Sequence, residues 1–126
     1  MAYLESAVVV YLRQLYGINF AMSALPPFDP RIARIEVGRE AATLVMLWAV
    51  GWLSGSSKGE KFAYSIITFG VWDVFYYIWL RVMVGWPASF LDQDPLFLIP
   101  LPWWGPVLAP VLIAVLMVIS GVRFVS

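Results

Sequence analysis

Apolar residues in this chain come in long runs separated by short polar punctuation. Residues 62–80 carry one charge, Asp73, and residues 105–122 carry none. Uninterrupted runs of this kind match a hydrocarbon core about 30 Å thick, which a helix crosses at about 1.5 Å per residue. The pattern predicts four helical spans, near residues 4–25, 30–53, 60–84 and 106–124. The first is the most polar. It holds Arg13, Gln14 and Asn19 and stops at Pro26-Pro27, so it also suits an amphipathic helix lying in the membrane interface. Glu5 stands where a cleavable signal would carry positive charge, so this stretch reads as the first span instead.

Boundaries are marked by turn and cap residues. Asp29-Pro30 pairs an N-cap acid with a proline at the first helical position. The second span is polar in its first half, with Arg31, Arg34, Glu36, Arg39 and Glu40, and apolar from Ala41 onward. The Gly/Ser-rich residues 54–59 form a turn into the third span, which ends at Gly85-Trp86-Pro87. Gly105-Pro106 opens the fourth, and Pro110 falls in its first turns, where a missing N–H costs little. Small residues at Gly38/Ala42 and Gly51/Gly55 suit close helix approach. The expected fold is an all-α integral membrane protein of one domain, a four-helix transmembrane bundle covering residues 1–126.

Residues 86–104 interrupt that scheme. They hold Pro87, Pro95, Pro100 and Pro102, the tryptophans Trp86, Trp103 and Trp104, and the acids Asp92 and Asp94. The prolines forbid a regular helix, yet the segment is too apolar for a solvated loop. It is expected to pack on the helices or on a partner, with Asp92 and Asp94 facing water or capping a turn. Trp86, Phe97, Trp103 and Trp104 are the expected partner-facing side chains, with Arg81 at their edge.

Composition agrees with a membrane chain. The sequence is 62% hydrophobic and 13% charged, with mean hydropathy +0.83. Soluble domains run at about 25% charged. Lipid must therefore cover much of the apolar surface. Net charge is zero, and no basic stripe points to nucleic acid. Cysteine and histidine are both absent, which removes disulfides, thiol chemistry, imidazole metal ligands and iron–sulfur clusters. No nucleotide loop, cofactor motif or catalytic constellation is visible, so no cofactor, no metal and no enzymatic activity are expected.

The remaining chemistry lies in charges set at membrane depth, where a carboxylate costs several kcal/mol unless it is protonated, paired or wetted. If antiparallel spans turn near residues 28 and 57, Asp73 lies level with Ala41, close to Arg39, Glu40 and Thr43, and Arg13 lies level with Thr43. Arg13, Glu36, Arg39, Glu40 and Asp73 then form one layer, with Tyr76 and Tyr77 as added donors. Asp73 is expected to pair with Arg39 or Arg13. Such a network fixes helix register in the plainer reading and relays protons or ions in the sharper one. A carboxylate metal site is disfavoured by the competing arginines. The expected function is a non-catalytic accessory or structural subunit of a larger membrane complex, contacting lipid and other subunits. The alternative is a small homo-oligomeric ion- or proton-coupled transporter or channel using Asp73 and Glu40. Multi-pass insertion in the cell membrane with both termini cytoplasmic is the expected placement.

Overall fold

The computed structural model describes residues 1–17, 29–97 and 103–126. Helices α1 (Ala2–Leu15), α2 (Pro30–Ser54), α3 (Lys58–Val84) and α4 (Leu108–Val125) carry most of it. Strands β1 (Gln93–Phe97) and β2 (Trp103–Pro106) lie between α3 and α4. Two helices, α3 and α4, are long and apolar enough to cross a membrane. The other two differ from expectation. Of the stretch 4–25, helix is described only as far as Leu15, and residues 18–28 lie outside the described part. The 14 residues of α1 measure about 21 Å at 1.5 Å each, short of a hydrocarbon core. At 25 residues α2 is long enough, but its charged first half keeps it from reading as uniformly apolar.

The caps explain where the helices start and stop. The Asp29 carboxylate accepts from the Arg31 N–H at 2.7 Å, and Pro30 follows it at the first helical position. The Ser57 hydroxyl accepts from the Glu60 N–H at 3.2 Å, while the Glu60 carboxylate reaches back to the Ser56 N–H at 2.9 Å. This reciprocal cap starts α3 two residues before the expected Glu60. Gly85 ends it in the left-handed region, at φ 71°.

Helix α3 is the centre, and α1, α2 and α4 all pack on it. Contacts give the directions. Gly51 of α2 meets Ser65 of α3, and Leu47 clusters with Trp72, so α2 and α3 are antiparallel. Gly70 meets Ala114 while Gly121 meets Ala63 and Ile67, so α4 returns antiparallel too. Ala2 clusters with Trp72 and the Ser6 hydroxyl reaches the Tyr76 carbonyl, so α1 runs parallel to α3. The α2–α3 turn and the end of α4 therefore share one end of the molecule, while the N-terminus lies level with the middle of α3. Neighbours on several sides bury α3 at Ala63, Ser65, Gly70, Trp72, Asp73, Tyr77 and Leu80, while Phe62, Val71, Phe75, Ile78 and Val82 stay exposed. By contrast α4 buries only the small stripe Pro110, Ala114 and Gly121. Its other faces, with Leu112, Ile113, Leu116, Ile119 and Val122, are exposed and apolar.

The segment after α3 is a two-stranded antiparallel ribbon, which the sequence pattern did not foretell. Gln93 pairs with Pro106, Asp94 with Gly105 and Pro95 with Trp104, with an irregularity before Phe97 meets Trp103. Both strands of such a ribbon are edges, so Pro95 costs no interior ladder bond. The ribbon is tied down at its base. The Val107 N–H donates to the Asp92 carbonyl at 2.9 Å and the Leu108 N–H to the Phe90 carbonyl at 2.8 Å. The Asp92 carboxylate caps the turn, accepting from the Ala88 and Ser89 N–H groups at 2.8 and 3.2 Å.

Close helix approach yields a test. A Cβ at Gly51 would fall 2.3 Å from the Ser65 Cα, whereas one at Gly38 meets nothing within 4 Å. Gly51→Ala should cost about 1–3 kcal/mol by overpacking. Gly38→Ala should cost nothing and gain up to about 1 kcal/mol of helix propensity. Thermal unfolding in detergent reads both, and equal melting of Gly51→Ala and the parent would refute the close α2–α3 crossing.

Candidate functional site

Two charged networks tie α1 to the rest of the chain. In the first, Arg13 from the last turn of α1 donates through Nη2 to Asp94 Oδ1 at 2.8 Å. The Tyr77 hydroxyl donates to Asp94 Oδ2 at 3.1 Å. The Arg13 guanidinium also lies over the Trp86 ring, 4.8 Å from its centroid. Asp94 is 1% exposed. Burial pushes its carboxyl up to about 6, and Arg13 and Tyr77 pull against that shift. Around the pair Tyr77, Leu80, Trp86 and Val107 form an apolar cluster. Three elements thus meet on one carboxylate: α1, α3 and β1.

The second network joins α1 to α2. Arg39 donates through Nη1 to Glu5 Oε1 and through Nε to Glu36 Oε2, the latter at 2.9 Å. The Thr43 hydroxyl adds a contact to Glu5 Oε2 at 3.3 Å. Glu36 and Arg39 pair on α2 with Glu40 buried on the same side, and the partner that Arg39 takes from α1 is Glu5. Arg13 lies two turns further along α1 and pairs with the ribbon. Glu5 was readable only through the inner face of α1. Ala2 and Ser6, small residues four apart, bury against α3 and place Glu5 beside α2.

Asp73 stands apart from both. It is 6% exposed, and among the described residues no hydrogen bond or ion pair reaches its carboxylate. The expected pairing with Arg39 or Arg13 is not formed, because other carboxylates hold both guanidiniums. Beside Asp73, the buried Trp72 indole N–H also meets no acceptor among the described residues. Tyr76 packs its ring against Tyr77 at 4.9 Å and Trp72 at 6.2 Å and does not bridge the charges. Among the described residues no three carboxylates converge to hold a metal ion.

The loop residues divide. Trp86 is buried beneath Arg13 and the ribbon, which corrects the expectation that it faces a partner. Asp94, expected at water or at a turn, is buried. Trp104 is 38% exposed, and Phe90 and Leu91, just before the ribbon, are exposed too. The side chains of Phe97 and Trp103 lie outside the described part, although their backbones pair in the ribbon. Arg81 donates to the Gly85 and Pro87 carbonyls at 2.6 and 2.7 Å, holding the chain as it leaves α3. A cavity of about 460 Å³ opens here, lined by Val74, Ile78, Arg81, Pro87, Phe90 and Val111 among others.

Compared with protein-family models, curated proteins and solved structures, the chain matches none.

The geometry separates the two networks energetically. Arg13→Leu or Asp94→Leu alone should cost about 3–5 kcal/mol by stranding the other charge, and the double variant should recover part of the loss. Hydrogen exchange at the Asp94 and Leu96 amides should rise in either single variant. Asp73→Leu with Arg39→Leu should instead show coupling below about 0.5 kcal/mol, as for independent sites. Strong coupling between Asp73 and Arg39 in that cycle would contradict the structure.

Proposed function

We propose that this protein is a multi-pass membrane protein whose four helices form one bundle, acting as a non-catalytic structural subunit of a larger membrane complex. The membrane part of the reading rests chiefly on α4. Its apolar 18-residue window is only 17% buried. A core helix of a soluble protein would be mostly buried, and apolar faces of this extent need lipid or other helices. The short α1 then enters the bundle without spanning it alone, and the charged half of α2 is tolerated because its acids are turned inward. Lys58, Lys61 and Arg123 lie at the end shared by the α2–α3 turn and the C-terminus, which favours a cytoplasmic placement for that end.

The observation that favours a structural role is the closure of the charged networks within the chain. Glu5, Glu36 and Asp94 each hold an arginine that comes from α1 or α2, so these groups fix register and do not line a path. The partner-facing edge is the ribbon end, where exposed Phe90 lines the cavity beside Arg81 and Leu91 and Trp104 are exposed as well. Native mass spectrometry after gentle detergent extraction should show this chain in a fixed complex with other membrane proteins. A lone monomer or a pure homo-oligomer would overturn the subunit reading.

One observation favours the second reading, a proton-coupled homo-oligomer: the buried Asp73 has no hydrogen-bond or ion-pair partner among the described residues. Buried membrane carboxylates of that kind mark ion pathways. Reconstitution into vesicles with an internal pH dye separates the two. The subunit reading expects no proton flux above empty vesicles, for parent and Asp73→Asn alike. Flux that Asp73→Asn abolishes would establish the transporter instead.

A further inference from the structure

We infer that the groove between α2 and α4 is a binding site for one acyl chain of an anionic phospholipid, whose headgroup is held by Lys61 and Arg123. The proposal rests on the membrane reading above. The groove exists because α2 and α4 both pack on α3 and leave a gap between them. It has a volume of about 400 Å³, within the range of about 300–1,000 Å³ usual for ligand sites. Leu44, Leu47, Ile66, Phe69 and Met117 give it an apolar wall. Its one hydroxyl, Ser65, points at the Lys61 and Trp48 carbonyls at 2.9 and 3.3 Å. The interior therefore suits a hydrocarbon chain and offers nothing to a polar ligand.

Charge at one mouth of the groove selects the headgroup. Trp48 lines the groove and packs on Trp52, with ring centroids 5.7 Å apart. The Lys61 ammonium sits over the Trp52 ring at 4.9 Å. Lys61 is one helical turn from Ser65, toward the α2–α3 turn. Arg123 lies six residues past Met117 in α4, about 9 Å along the axis at 1.5 Å per residue. Because α4 is antiparallel to α3, that step leads to the same end, where Phe124 meets Gly59. Lys58 stands there too. Glu60 is the nearby acid, and its carboxylate is engaged by the Ser56 N–H. Among the described residues no carboxylate pairs with Lys58, Lys61 or Arg123. The mouth is thus a cationic rim with tryptophans at headgroup level, above an apolar slot.

The test uses the full chain in detergent micelles doped equally with phosphatidylglycerol and phosphatidylcholine of the same acyl chains, read by native mass spectrometry. The parent should retain phosphatidylglycerol preferentially. Lys61→Gln and Arg123→Gln should each weaken that retention by about fivefold, the fold-change for one basic residue near an anionic surface. Lys61→Arg should restore it. Val45→Trp, placed on the exposed wall of the groove, should displace both lipids without touching the charges. Equal retention of the two lipids by the parent, or charge variants that bind as the parent does, would overturn the site. Membrane residence is scored separately by alkaline extraction. Release there would defeat the membrane reading itself, whereas resistance with equal lipid retention would defeat the lipid site alone.

Discussion

A guanidinium held away from water needs a carboxylate, and Arg13 finds one 81 residues along the chain. That single contact gathers α1, α3 and the ribbon. Asp94 cannot stay buried without Arg13 and Tyr77, and Trp86 cannot cover the pair unless the chain folds back after Gly85. The apolar cluster of Tyr77, Leu80, Trp86 and Val107 then closes around it. Were the pair absent, each of its charged members would be a large desolvation cost with nothing to offset it. The ribbon would keep its base at Val107 and Leu108 but lose its tie to α1.

The second network has a different task. Glu5, Arg39 and Glu36 set the height of α1 against α2, and the small residues Ala2 and Ser6 set its distance from α3. Both networks are local solutions to one problem: a short, polar first helix has too little apolar surface to be held by packing alone. Helix α4 is the opposite case. It carries no charge before Arg123 and is held by a stripe of small residues that lets backbones approach.

Much of the helical outline was legible. Asp29-Pro30, the residues 54–59 and Gly85 punctuate the chain with local chemistry, and local chemistry decides helix ends. The register of α1 was not legible. Depth arithmetic assumed one continuous helix reaching a turn near residue 28, whereas α1 gives way at Tyr16-Gly17, with Gly17 at φ 63°. Arg13 was thereby assigned to the wrong layer and Glu5 to none. The ribbon was hidden for another reason. Its strands are short and proline-bearing, and pairing depends on residues brought together by the α3–α4 return. The identity of Asp73 as a buried acid was readable from its run, but its isolation was not, since that depends on which carboxylates capture Arg13 and Arg39.

The separation of Arg13 from Asp94 also sets a schedule for biosynthesis. At about 5–20 residues per second, Arg13 is added to the chain roughly 4–16 s before Asp94. Throughout that interval α1 can be held only by its other contacts, Glu5 with Arg39 and the Ser6 hydroxyl on the Tyr76 carbonyl. The C-terminal turn of α1 is therefore the part that waits, and its guanidinium is fixed only when the ribbon arrives.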